Sequence, residues 1–328
     1  MAALKIIFAG SPAIAAPALA ALSQMEVESG RVSLAGVLTN PDRARKHGYS
    51  EPSDISAAAA ALDAVRGERG LPPLVQFKPE KLDARAREEI AAAAPDLLVS
   101  FAYGRMFGPR FLALFPRGGI NIHPSLLPKY RGAAPIPAAI LARDKESGIC
   151  IQTLAEAMDS GDILAHERFE LNGRETTASL SEDVSRRAAG LLCALLADFD
   201  AARARAWPQT GTASYCAQIK KDDGRIDWSK SAVEIDAQVR AYTPWPLSFT
   251  QLGKNALFIL QACPVVAMED GGQAAAGSVL GIDKELGVLI QTGSGVLAVS
   301  RLQWQAKKAL DWKDFLNGAR DFVGARLG

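Results

Sequence analysis

Cysteine is scarce in this 328-residue chain. Its four cysteines, Cys150, Cys193, Cys216 and Cys263, lie far apart and form no CxxC pair. That spacing excludes the common zinc ligand sets and reads as small buried hydrophobes of a reducing compartment. Charge of either sign is not in excess: 37 basic against 36 acidic side chains leave a net charge of +1. No global field advertises a polyanionic partner, so any such site must be a local patch. No apolar run reaches the ~18 residues of a membrane helix. The alanine-rich start is not read as a secretory signal, because Gly10, Ser11 and Pro12 break its short apolar core "IIFA" and no basic region precedes it. A cytoplasmic protein is expected. Glycine is also missing where a dinucleotide fold needs it. The first turn, "AGSPAIAA", keeps Gly10 but has Pro12 and Ala15 where further glycines would let the backbone approach a pyrophosphate. A GxxxxGK[ST] loop is absent too, which argues against tightly held NAD or ATP.

What is present alternates. "LKIIFAG" (4–10), "VSLAGVLTN" (32–40), "LVQF" (74–77), "DLLVSFAYG" (96–104) and "GGINIHP" (118–124) read as strands, with helical patterns at 17–25, 54–70, 81–94 and 108–115. Strands alternating with helices predict an α/β domain with a Rossmann-like sheet covered on both faces. Residues 148–171 then hold two apolar runs around an acidic, glycine-containing loop near 156–162. They read as neighbouring strands, so the sheet is expected to be mixed but mostly parallel. An amphipathic helix follows at 175–199. The Arg, Pro, Gly and Thr of "DAARARAWPQTGTAS" mark a domain boundary. This gives a first domain over 1–202, a linker over 203–213 and a second domain over 214–328. The second domain's helix (231–242) and glycine-spaced apolar runs suggest a small OB-like β-barrel, with Trp228 and Trp245 in its core.

The chain has three histidines, and one stands in "INIHPSLLPKYRGAAPIP" (120–137). On a strand, residues i and i+2 share a face, so Asn121 and His123 project together at the carboxyl end of a sheet strand, where such folds place ligands. An amide and an imidazole aimed at one point suit an oxygen that gains negative charge in acyl transfer. A carboxylate is needed to orient the histidine and move a proton. "AMDSGD" supplies Asp159 and Asp162, 36 and 39 residues after His123, and spacing alone does not choose between them.

The combination resembles the folate-dependent formyltransferases: N-x-H, then "SLLPKYRG", then the Asp-Ser-Gly-Asp loop. The resemblance runs nearly end to end, from "IIFAGSPAIAA" and "TNPDR" to "YCAQIKKDDGRIDWSKSAVEIDAQVRAYTPWPLSF". These last elements look like the family members that act on initiator Met-tRNA. The resemblance implies catalytic roles for Asn121, His123 and Asp159, and folate contacts from Ser125, Leu126, Leu127 and Pro128. It implies 10-formyltetrahydrofolate as co-substrate, no metal, and transfer of the formyl group to the methionine of initiator Met-tRNA for translation initiation. The protein is expected to work as a monomer. Candidate tRNA contacts are Arg43, Arg45, Lys46, Arg203, Arg205, Lys220 and Lys221. Lys129 and Arg131, beside the central loop, are placed to reach an acceptor end. An N-formyltransferase acting on an amino-sugar nucleotide and a formyltetrahydrofolate hydrolase would use the same three residues. A non-catalytic RNA-binding protein is a reading of another class, disfavoured by the intact Asn, His and Asp.

Overall fold

The computed structural model describes residues 3–44, 50–265 and 274–328. Its chain divides into two units. The first comprises Met1–Pro135, Glu146–Glu170 and Ser181–Cys216; the second comprises Ile136–Lys145, Leu171–Leu180 and Ala217–Gly328.

The first unit is built on a seven-stranded sheet. Its strands are β1 (Leu4–Ala9), β2 (Val32–Leu38), β3 (Gln76–Phe77), β4 (Leu97–Phe101), β5 (Gly119–His123), β7 (Glu146–Thr153) and β8 (Ile163–Glu170). A two-residue β6 (Arg131–Gly132) lies outside this sheet. The strand order is β8-β7-β5-β4-β1-β2-β3. Pairings from β5 to β3 are parallel, and those of β5 with β7 and of β7 with β8 are antiparallel. Every residue of β4 is buried, as a central parallel strand requires. The edge strand β8 instead has two buried residues at its start and then alternates half-buried and exposed positions.

Local chemistry sets the helices. In α1 (Ala16–Ser29), Pro17 sits in the first turn and Gly30 closes the far end at φ 60°. The side chain of Ser53 caps α2 (Asp54–Glu68), and that of Asp83 caps α3 (Ala84–Ala91). Gly10 in the first turn answers to packing rather than to a phosphate: a Cβ there would lie 2.9 Å from the carbonyl of Phe101 on β4.

Residues 203–213 are the stretch that composition marks as a linker. They belong to the first unit, where Trp207 exchanges two backbone hydrogen bonds with Ile163, at 2.8 and 3.1 Å. The chain then makes a short parallel pairing of β9 (Tyr215–Cys216) with β6. Loop-like composition gives the flexible and the packed alternatives the same appearance.

The second unit carries an antiparallel sheet in the order β10 (Ser248–Leu252), β11 (Asn255–Val265), β14 (Val296–Trp304), β13 (Gly287–Gln291), β12 (Val279–Asp283), with β15 (Leu310–Asp311) against β14. Among the described residues no pairing joins β10 to β12, so the OB-like barrel is here a sheet without closure. Alternating apolar strands specify a two-faced sheet, whereas closure depends on tilt and stagger that alternation does not encode. The helix α4 (Ala232–Ala241) starts in a capping box of Ser231 and Glu234. Trp228 is buried and donates to Thr250 Oγ1 at 3.0 Å, but Trp245 is 56% exposed and is not core. Among the described residues no helix is long and apolar enough to cross a membrane.

Candidate active site

Strand β5 ends at His123, and the register of its neighbours builds the site. Asn121 pairs across the ladder with Gln152 on β7, and His123 with Cys150. Residues opposite each other on antiparallel strands share a face, so Asn121, His123, Gln152 and Cys150 lie on one side of the sheet. Burial pushes the Cys150 thiol up to about 11, and its Sγ accepts from the Leu127 amide at 3.4 Å. It is a neutral structural thiol.

The loop between β7 and β8 delivers Asp159 to this face. Asp159 adopts φ 51°, a left-handed conformation that Asp tolerates better than most residues. Two residues on, the loop returns tightly past β7: a Cβ on Gly161 would stand 1.8 Å from the Thr153 carbonyl, so only glycine fits. The Asp159 carboxylate receives the Gly132 amide on Oδ2 at 2.8 Å and the Gln152 amide on Oδ1 at 3.0 Å. Asn121 Nδ2 approaches Oδ1 at 3.4 Å, and His123 Nδ1 lies 3.6 Å from Oδ2. The last separation is an ion-pair distance beyond hydrogen-bond reach. Asp162 is exposed, and its backbone pairs with Thr153. Asn121, His123 and Asp159 therefore meet, and Asp162 stands apart.

The other ring nitrogen of His123 is committed. Nε2 lies 2.8 Å from the carbonyl of Tyr130, which can only accept, so Nε2 carries the hydrogen. Nδ1 is the edge left for chemistry. Burial is the largest influence on the imidazole and lowers its pKa; Asp159 and the Tyr130 carbonyl act in the opposite direction without overcoming it. A folded-state value below the unfolded one, about 6.5, means the unfolded chain binds more protons in between. This contribution to stability is thus full above about pH 6.5 and lost as pH falls through the folded-state value. Melting temperatures from pH 5 to 8 should fall more steeply on acidification in the wild type than in His123→Asn. Parallel curves would contradict the buried neutral imidazole.

Residues 4–196 match the formyl transferase family, and residues 218–320 match the C-terminal domain of formyl transferases. This chain belongs to the formyl transferase family. It is 47% identical to a methionyl-tRNA formyltransferase of Treponema denticola, across 98% of each chain. A methionyl-tRNA formyltransferase of Treponema pallidum is 42% identical across 99% of each. Among solved structures, an N-formyltransferase from Helicobacter canadensis, in complex with folinic acid and dTDP-3-aminofucose, superimposes with a TM-score of 0.59. It covers 90% of this chain and 98% of its own at 18% identity, a likeness of fold.

The other residues singled out in this formyl transferase fall into different places. Ser125 is buried and its Oγ donates to the Lys129 carbonyl at 2.5 Å, closing the loop on itself. Leu126 fills the space beside Gly148, where a Cβ would meet its Cδ2 at 2.3 Å. These two side chains shape the segment, while Leu127 and Pro128 are half-buried. Arg43 is exposed in a two-residue strand; Arg45 and Lys46 lie outside the described residues. Arg203 is exposed and donates to the Arg117 carbonyl at 2.6 Å, just before the amino end of β5 and so away from His123 at its carboxyl end. Arg205 donates to Ala201 within its own helix region at 3.1 Å. Lys220 and Lys221 are exposed and belong to the second unit. Arg131 is bound to Gln209 through Nε at 3.1 Å and Nη2 at 2.6 Å, so its guanidinium faces into the first unit's own structure. Sequence reasoning missed Gln152, Gln209, the Gly132 amide and the Tyr130 carbonyl. A signal existed only for Gln152, a polar residue inside the apolar run "ICIQT".

Proposed function

We propose that this protein transfers the formyl group of 10-formyltetrahydrofolate to the amino group of methionine on initiator Met-tRNA. The observation that carries the reading is the convergence of an amide, an imidazole and a carboxylate at the carboxyl end of β5, in a chain whose full length follows proteins named methionyl-tRNA formyltransferase. The donor set suits a one-carbon carbonyl unit: donors for its oxygen, and an acceptor for a proton.

Asn121 and His123 Nδ1 lie beside the carboxylate, so a formyl carbon placed among the three has its oxygen toward them. The methionine amine attacks that carbon and a tetrahedral intermediate forms. Asn121 Nδ2 donates to the oxyanion. His123 is neutral at rest, with Nε2–H on Tyr130. It enters this step as the imidazolium, Nδ1 having taken a proton from solvent beside the Asp159 carboxylate. Nδ1 then donates that hydrogen to the oxyanion in a hydrogen bond and keeps the proton when the intermediate collapses. Asp159 accepts the proton from the attacking nitrogen, through water, and returns it to N10 as the carbon–N10 bond breaks. Each oxyanion donor of this kind is worth about 3–4 kcal/mol of barrier. Leu127 and Pro128 line the folate side, on a loop held by Ser125 and Leu126. The first domain does the chemistry. The second, read as an incompletely closed barrel of OB type, contributes tRNA contacts through Lys220 and Lys221, with Arg43, Arg45, Lys46, Arg203 and Arg205 as further cations.

The test supplies 10-formyltetrahydrofolate with charged initiator tRNA, charged elongator tRNA or an amino-sugar nucleotide in separate reactions. Formylation of the initiator alone is expected, with a KM that rises steeply with salt because phosphate contacts release counterions. Formylation of the sugar nucleotide, or release of formate without any amine, overturns the reading.

A further inference from the structure

Within residues 203–213, Gln209 ends up against the loop that carries Asp159. Gln209 lies within hydrogen-bond reach of three acceptors through Nε2: the Asp159 carbonyl at 2.8 Å, the Gly161 carbonyl at 2.9 Å and Gln152 Oε1 at 3.1 Å. Its Oε1 accepts from two nitrogens of Arg131. This guanidinium has no acceptor, so it fixes which end of the Gln209 amide is oxygen and turns the NH₂ toward the loop. Gln152 is oriented in turn. Its Oε1 takes the Gly161 amide at 3.1 Å, and its Nε2 reaches the Asp159 carboxylate at 3.0 Å. Arg131, Gln209 and Gln152 thus form one continuous network that ends on the carboxylate. The network holds both the side chain and the backbone of Asp159, a non-glycine residue at φ 51°. Arg131 also adjoins Gly132, whose amide binds the other carboxylate oxygen.

We infer that Gln209 is a positioning residue for formyl transfer: it clamps the left-handed backbone of Asp159 from outside the loop and, through Gln152, aims the carboxylate at His123 and Asn121. The inference rests on the formyl-transfer reading above. Gln209 does not face the reacting atoms, so its removal loosens the carboxylate and leaves substrate binding alone. A displacement of about 1 Å at a catalytic group costs on the order of 10²-fold in rate.

Two variants test this. Gln209→Met keeps length and loses every hydrogen bond; Gln209→Glu keeps length and the link to Arg131 but, at pH 8, has no hydrogen to give the three acceptors. Both should lower kcat for Met-tRNA formylation by roughly 10- to 100-fold. KM for folate and for tRNA should stay within about two-fold, while the melting temperature should fall by no more than a few degrees, the cost of leaving half-buried polar groups unpaired. Wild-type kcat in both variants overturns the inference. So does a Glu variant that works while Met fails, because Gln209 would then serve only to anchor its segment on Arg131. Parallel losses of kcat, substrate binding and melting temperature overturn it as well, since they describe a purely structural residue. Asp159→Asn is the control that separates the two readings. Normal turnover in that variant sinks the underlying chemistry, whereas a slow Asp159→Asn with a normal Gln209→Met sinks only the role of Gln209.

Discussion

Asp159→Asn should lower turnover by about 10²- to 10⁴-fold, the range for losing a positioned proton carrier, while folate binding stays close to the wild type. The substitution keeps size and shape, so the loop has no steric reason to move. It removes the carboxylate that the proposed mechanism uses to take the proton of the attacking amine. It also breaks the hydrogen-bond pattern. Both carboxylate oxygens face donors, with Gly132 on one and Gln152 and Asn121 on the other. An amide has one oxygen, so whichever way it turns, its NH₂ meets another donor. Gln152 cannot simply flip to accommodate it, because its own oxygen holds the Gly161 amide. The measurement is steady-state kcat for Met-tRNA formylation beside equilibrium binding of a non-transferring folate. A kcat within ten-fold of the wild type, or binding lost in step with rate, would remove Asp159 from the proton path.

The visibility of this site in the sequence divides along a physical line. Asn121 and His123 are separated by one residue on a strand, and period-two geometry is local, so their shared face is readable from spacing. The central strands are readable for the same kind of reason: a strand buried on both faces needs a continuous apolar run, as in β1 and β4. Asp159 could be proposed as the partner carboxylate, but choosing it over Asp162 from the chain alone took a family resemblance. The choice depends on a left-handed turn and on a register between β5 and β7 that no local pattern states. Gln209 was invisible. It lies 50 residues from Asp159 in a segment whose Arg, Pro, Gly and Thr read as a boundary, and its importance comes entirely from what the fold brings beside it. The Trp245 expectation fails on similar grounds. Composition marks tryptophan as core material, but the side on which it emerges after a proline-rich turn is set by tertiary packing.

The sequence was also silent about an ion pair away from the site. Arg66 on α2 reads as an ordinary polar helix position, yet its side chain is 2% exposed and pairs with Glu26 of α1, itself 7% exposed. Arg66 Nε donates to the Pro72 carbonyl at 3.2 Å, and Glu26 Oε1 accepts from the Leu34 amide at 3.2 Å. The pair therefore joins two helices, the segment after α2 and the strand β2. Arg66→Met should destabilise the first unit by about 3–5 kcal/mol, because it leaves a largely buried carboxylate without its partner charge. The melting temperature should fall on the order of 10 °C. The same reasoning predicts a compensation. The large cost comes from the unpaired charge rather than from the lost attraction, and two buried charges gain little over a neutral pair of similar volume. Glu26→Gln added to Arg66→Met should therefore restore part of the loss, with the amide oxygen still able to accept from Leu34. A double variant as unstable as the sum of its two singles would mean the sites do not couple, and the pair would have to be regarded as two independent helix anchors.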